Sequence, residues 1–277
     1  MKIAPILAAL VLSATCLHAY EVLETNVQNP EQDKIDGYKD TPMQPPPNEQ
    51  WHVHDPDRPQ PPVAEPKYDG KPVPAPEGAT VLFDGSSLDK WTNKEWKIDE
   101  DGAMLVTKKS QRSVDEFGDI QLHIEWMAPL GREGWGQKQG NSGVFLMNKY
   151  EVQVLNCWAN RTYPDGMTGA IYGQQPPMFN ACRKPGEWNA YDIYFKAPVF
   201  DGEKLVSPAY ITVILNGVTI HDNYEIKGTT FWRKPAAYEP HGPTGPIQLQ
   251  AHGNPNKFRN IWVKPLEMKL GAEGSSR

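Results

Sequence analysis

Between Ile120 and Trp126 the chain alternates without a break. Ile120, Leu122, Ile124 and Trp126 are apolar, and Gln121, His123 and Glu125 between them are polar. A period of two belongs to a strand with one face in a core and the other turned away from it. The same alternation returns in "YEVQV" (150–154), and "NAYDIYFKAPVF", "AYITVILNGVTIHDN", "GPIQLQAHG" and "FRNIWVKPLE" read as further strands. Turn signals stand at Asp84-Gly85, Asp101-Gly102 and Asn216-Gly217. The last, inside "ITVILNGVTIHD", is a strong hairpin signal. No segment sustains a helical period. Many short strands with closely spaced turns predict an all-β, antiparallel sandwich or jelly roll. Residues 79–268 are expected to form it, a length sufficient for one core.

The chain before Ala79 has a different character. Residues 20–78 hold thirteen of the 27 prolines and show no strand or helix period. Proline fixes φ and removes a donor, so this segment is expected to be an extended arm, partly polyproline II. One piece resists a reading as spacer: Trp51, His52, His54 and Arg58 in "WHVHDPDRP" suit docking on the domain surface. His52, His54 and Asp57 form a weak metal signal. Residues 1–19 read as a secretory signal peptide: Lys2, an apolar run from Ile3 to Leu12, then small residues ending at Ala19. The expectation is an exported chain, periplasmic or extracellular. Thr15 before Cys16 does not fit a lipid-anchor motif, and no later segment has an apolar run long enough to span a bilayer. Residues 269–277 form a C-terminal tail.

A formal net charge of −6 gives no electrostatic reason to expect nucleic acid or an anionic membrane as partner. Nine Trp and eleven Tyr serve as core, as platforms for flat sugar faces, or as both. Beyond the signal peptide two cysteines remain, Cys157 and Cys182. In an oxidising compartment they are expected to pair, closing a loop of about 25 residues; two buried thiols are the alternative.

Seven blocks, in order, carry a resemblance: "VLFDGSSLDKW", "GDIQLHIEW", "GNSGVFLMNKYEVQVLN", "TGAIYGQQPP", "KPGEWNAYDI", "VILNGVTIHD" and "GPIQLQAHGNPNKFRNIWVKPL". Together they resemble the 3-keto-disaccharide hydrolase-like family over nearly the whole domain. The resemblance implies a concanavalin A-like jelly roll, as in lectins and laminarinase-type endoglucanases. It also implies action on glycosides oxidised to a ketone at C3 of the sugar. Folds of this kind host catalysts and plain binding modules alike.

Glycosidases that act on ordinary sugars need two carboxyl groups across the scissile bond. Laminarinase-type relatives carry two Glu and an Asp at alternate positions of one strand, whereas this chain has Glu151, Gln153 and Leu155. A 3-keto sugar asks for less. The ketone acidifies the C2 hydrogen; a base removes it and the C1–O bond breaks by elimination, after which water can add. One base, one group at the enolate oxygen and one acid at the leaving oxygen suffice.

Glu151 is the candidate base, with a solvated strand face as the competing reading. His252, in "QLQAHG", is a candidate acid–base group; a loop histidine is the bland alternative. The family pattern has Asp just before this histidine, and this chain has Ala251. Arg259 is a candidate for the enolate oxygen, or a surface ion pair. Glu125 is a second acid if its strand neighbours that of Glu151. Asn141, Gln153, Tyr172, Gln248 and Gln250 suit sugar hydroxyls, and Trp135 and Trp158 suit stacking, with packing as the default. No cofactor is required by this chemistry. A divalent metal on the ketone is compatible with it, with His252 and Glu125 or Glu151 as ligands, but no compact ligand motif is present. The Walker, dinucleotide, CxxC and HExxH patterns are absent. Two other readings stand beside the enzyme: a carbohydrate-binding module, and a conventional endoglucanase-type glycosidase.

Overall fold

The computed structural model describes residues 35–266. The expected signal peptide, Cys16, the first part of the arm and the C-terminal tail lie outside the described residues. Among the described residues fourteen strands run in chain order: β1 (Thr80–Phe83), β2 (Lys97–Ile98), β3 (Met104–Leu105), β4 (Gln111–Phe117), β5 (Ile120–Met127), β6 (Ser142–Leu146), β7 (Tyr150–Val154), β8 (Asn189–Lys196), β9 (Val199–Asp201), β10 (Lys204–Ser207), β11 (Tyr210–Leu215), β12 (Val218–Glu225), β13 (Gly245–Leu249) and β14 (Lys257–Pro265). The only helical pieces among the described residues are single 3₁₀ turns at Gly136–Lys138 and Pro164–Gly166.

The strands form two main antiparallel sheets. The larger has the order β12-β11-β8-β5-β14-β3-β2, with β1 also paired to β14; the smaller is β4-β13-β6-β7. Strand alternation fills the space between them. Leu122, Ile124 and Trp126 of β5 and Tyr191, Ile193 and Phe195 of β8 come from one side. Val144 and Leu146 of β6, Val152 and Val154 of β7 and Ile247 and Leu249 of β13 come from the other. All are buried, and they belong to one continuous core. This is the expected β-sandwich.

Two local features fix its geometry. Asn216 and Gly217 join β11 to β12 with φ of 52° and 77°, the pair of positive φ values that a type I′ hairpin demands. In β14 the register slips between Arg259 and Trp262, where Asn260 adopts φ 47°. Asn is among the few residues that accept this conformation cheaply. The bulge keeps Phe258, Ile261 and Val263 in the core.

The described part of the arm, from residue 35 on, lies along the domain. Between Pro42 and Val53 it folds back on itself, with Val53 N–H donating to Pro42 O and Gln44 N–H to Trp51 O. Further along, Ala64 N–H donates to Asn180 O, and Lys67 and Tyr68 N–H both donate to Asn216 O. The "WHVHDPDRP" piece docks as expected: Arg58 donates to Gln174 O and Asn48 Oδ1, and His54 is fully buried.

Candidate functional site

Glu151 and Gln153 alternate with the core residues of β7 and so point away from the core, yet both are buried. What lies against them are the connections β5–β6, β7–β8 and β12–β13, through Gln137, Gly166, Ala170, Tyr172 and Thr230. They leave a cleft of about 490 Å³, within the usual range for small-molecule sites. Glu151, Phe145 and Gln250 form its floor, from β7, β6 and the end of β13. Gln137, Asn141, Tyr163 and Tyr172 come from loops, Thr230, Trp232 and His252 from later turns, and Tyr38 from the arm.

Glu151 is the one carboxylate among these lining residues. Burial alone drives its carboxyl up from 4.5 to about 8. Its place depends on Gly143 of the facing strand: a Cβ there would sit 2.2 Å from Glu151 Oε1. The glycine of "GNSG" thus gives the carboxyl its room. The backbone is pinned as well, since Glu151 N–H donates to Thr230 Oγ1 at 3.1 Å and Thr230 N–H donates to Lys149 O. That second tie also holds the turn bearing Trp232.

An amide network lies beside the carboxyl. Gln153 Nε2 donates to Gln137 Oε1 and Gly166 O, and Asn141 Nδ2 donates to the same Gln137 oxygen. The side-chain amide oxygens (Oε1) of Gln153 and Gln250 are buried acceptors without a donor. On the other side the hydroxyls of Tyr163 and Tyr172 meet at 2.9 Å, both held protonated because burial raises them. Behind them stands His54, its ring 4.3 Å from Tyr163 and 4.8 Å from Tyr172. Asp165 accepts from His54 N–H at 3.0 Å and from Gln44 Nε2 at 2.9 Å, and faces His54 Nδ1 at 3.3 Å.

The structure therefore brings Glu151, His252, Asn141, Tyr172 and Gln250 to one cleft; Gln153 is fully buried behind it and reaches its lining through Gln137. His252 is exposed at the rim; Ala251 before it offers no carboxylate, and its N–H donates to Ser110. The other expected residues lie elsewhere. Glu125 and Arg259 are on β5 and β14 of the large sheet, neighbours of each other and not of β7. Arg259 Nε donates to Glu125 Oε2 at 2.6 Å, and its guanidinium lies 4.0 Å over Trp188. Glu125 also accepts from Asn260 Nδ2 and from Val73 N–H of the arm. This pair is a clasp for the arm. Burial pushes the Glu125 carboxyl up, but hydrogen bonds from His123, Asn260, Val73 and Arg259 outweigh it and hold it at about 2. A carboxylate held ionised at neutral pH and fully paired makes a poor acid or base.

Gln248 is turned toward Arg112, which donates to it at 3.0 Å. Trp135 and Trp158 are not among the cleft's lining residues; Trp158 lies instead under Lys184 Nζ, at 5.3 Å. The expected Cys157–Cys182 bridge is not formed. Both are buried free thiols, stationed around Thr168, whose N–H donates to Cys157 Sγ at 3.1 Å. His52, His54 and Asp57 turn to Thr41 O, Asp165 and Lys39 respectively, so they do not converge on an ion. Among the described residues no group of three or more His, Cys, Asp or Glu is placed to hold one. No helix there is long and apolar enough to cross a membrane.

Sequence reasoning missed Tyr38, Gln137, Tyr163, Thr230, Trp232 and the His54–Asp165 pair. The one available signal was the unspacer-like composition of "WHVHDPDRP".

Residues 78–264 match the model of the 3-keto-alpha-glucoside-1,2-lyase-like domain. The chain belongs to this family. It is a family of glycosidase-like, carbohydrate-active domains. Among solved structures, a provisionally assigned glycosyl hydrolase from Parabacteroides distasonis is 43% identical, with 75% of this chain and 93% of that one covered and a TM-score of 0.68. Another of the same description from that organism is 20% identical, covering 71% of this chain and 100% of its own, with a TM-score of 0.51, a likeness of fold. No curated protein matches the chain. The family match begins at residue 78, so the arm residues that wall the cleft precede it.

Proposed function

We propose that this protein is an exported enzyme that cleaves 3-keto-glycosides by taking the C2 proton and expelling the C1 oxygen. The observation that carries the reading is a solitary buried carboxyl, raised to about 8, in a cleft of amides and hydroxyls. A base that removes a proton from carbon needs to be stronger than an ordinary carboxylate, and burial supplies that strength. Glu151 takes the C2 proton as the C–H pair moves into an enolate. The Tyr172 hydroxyl, kept protonated by its surroundings, donates to the enolate oxygen. The enolate then re-forms the ketone, the C1–O bond breaks, and His252 at the open rim protonates the departing oxygen. Water adding across the resulting double bond gives net hydrolysis. The unpaired side-chain carbonyl of Gln250, which lines the cleft, suits a sugar hydroxyl donor. A conventional two-carboxylate glycosidase is disfavoured, because no second carboxylate lines the cleft.

The test is incubation with a panel of 3-keto-glucosides, with and without EDTA, followed by product identification. Release of the aglycone by the wild type and its loss in Glu151→Gln is the expected result. Sugar binding without release would make the protein a binding module instead.

A further inference from the structure

The cleft has one wall that the proposed chemistry does not use. Trp232 stands at its edge and is 62% exposed, the opposite of what a core tryptophan does. Tyr38 meets it edge-on, with ring centroids 6.2 Å apart at 87°. Arg233 braces both rings: its guanidinium lies 4.2 Å over Tyr38 and 5.5 Å from the Trp232 ring centre. Asp40 fixes that guanidinium, with Arg233 Nη2 2.7 and 2.8 Å from its two carboxylate oxygens. Arg233 adopts φ 57°, a costly conformation for a residue with a side chain. A chain that holds an arginine there to steady an exposed indole is keeping a surface in place.

We propose that Tyr38 and Trp232 form a second-ring subsite, which holds the leaving-group sugar of a disaccharide. The C–H face of a pyranose packs on an aromatic plane, and a corner of two rings near a right angle presents one face and one edge to it. The cleft has more room than one hexose ring needs. Because Tyr38 and Asp40 belong to the arm and lie outside the family-matched residues, the arm is a working part of the site. The inference rests on the proposed glycoside chemistry for its substrate, not for its geometry.

The experiment compares a 3-keto-disaccharide with methyl 3-keto-glucoside, using the full chain and the variants Trp232→Ala, Tyr38→Ala and Asp40→Asn. Loss of kcat/KM is expected to be about tenfold greater on the disaccharide than on the methyl glycoside for the two ring variants, equivalent to about 1.4 kcal/mol. The Asp40 variant, which removes no ring, should show a smaller shift in the same direction. Equal losses on both substrates would overturn the subsite and leave the proposed reaction standing. In parallel, titration calorimetry with an unoxidised glucose disaccharide and with glucose reads binding without turnover. The disaccharide should bind more tightly, and Trp232→Ala should remove the difference. That result without any turnover would sink the reaction and keep the subsite. No preference for the disaccharide in the wild type would sink the subsite. Thermal melts confirm that each variant is folded.

Discussion

Replacing Glu151 by Gln separates the two roles that burial gives this residue. The carboxyl is raised from 4.5 to about 8 by burial, so folding favours its neutral form. For an acid whose folded value is raised, stability is highest below the unfolded value and is lost as pH rises through the window between the two. At about 1.4 kcal/mol per tenfold, ionisation of the unfolded chain costs the native state about 1 kcal/mol at pH 5, about 3 at pH 7 and nearly 5 at pH 9. Gln keeps the shape of protonated Glu and does not titrate. The Glu151→Gln chain should therefore be close to the wild type in stability at pH 5 and about 3–4 kcal/mol further ahead of it at pH 9. Urea unfolding across that range, with both chains in the same buffers, reads the difference directly. Activity should move the opposite way. The base is needed in its ionised form, so the rising limb of the wild-type kcat/KM profile should be set by the raised Glu151 carboxyl, and Glu151→Gln should be inactive throughout. Two results would refute the reasoning: a stability difference that does not change between pH 5 and pH 9, or turnover that survives the substitution.

Gly143→Ala would place a methyl 2.2 Å from Glu151 Oε1; displacing the carboxyl by that much should lower kcat/KM by about 10²-fold, while Gly242→Ala, with nothing near its new methyl, should not. Glu125→Gln leaves the Arg259 guanidinium without its partner and should cost about 3–5 kcal/mol in urea unfolding, with faster amide exchange at Val73, which donates to Glu125 Oε1. In the wild type the depressed Glu125 carboxyl contributes stability that is present above its unfolded value of 4.5 and is lost as pH falls toward about 2, so acid titration should release the arm clasp in that window. Cys157 and Cys182 are pushed up to about 12 and about 11, burial being the largest cause; peptide mass mapping should find both unmodified after alkylation of the native chain at pH 8 and both modified after denaturation.

The sandwich was legible because its signal is local. Alternation in β5, β7, β8 and β11 says which residues enter the core, and Asn216-Gly217 says where a hairpin closes. Glu151 was legible for the same reason: it lies out of phase with Val152 and Val154. What alternation cannot say is which sheet a strand joins. Glu125 and Glu151 have the same local pattern, but β5 lies in the large sheet and β7 in the small one, so a shared site for them does not follow. The aromatic wall was hidden by distance along the chain. Asp40 and Arg233 are 193 residues apart, and neither carries a periodic pattern that points to the other. The cysteine pairing failed differently: the export context suggested a bridge, whereas the fold places both thiols as buried partners of Thr168.

The two glutamates show how one fold assigns different work to the same side chain. Each sits on an outward position of a buried strand, and burial pushes each carboxyl upward. Around Glu125 the chain supplies an imidazole, an amide side chain, a backbone N–H and a guanidinium, and the carboxyl ends at about 2. Around Glu151 it supplies a glycine's empty space, and the carboxyl ends at about 8. An ionised group that is fully hydrogen-bonded has no capacity left for a substrate proton; it ties down the arm. A carboxyl whose charge nothing in the protein stabilises becomes a strong base once ionised, and a proton on carbon is the kind of acid that needs one. Arg259, which by residue type suits an enolate oxygen, is spent on the first glutamate. In the proposed reaction the stabilisation of the enolate falls to hydroxyl and amide donors in the cleft, and the arm that Glu125 helps to hold in place also carries Tyr38 into that cleft. The structural clasp on one face and the proposed catalytic carboxyl on the other are joined through the same segment of chain.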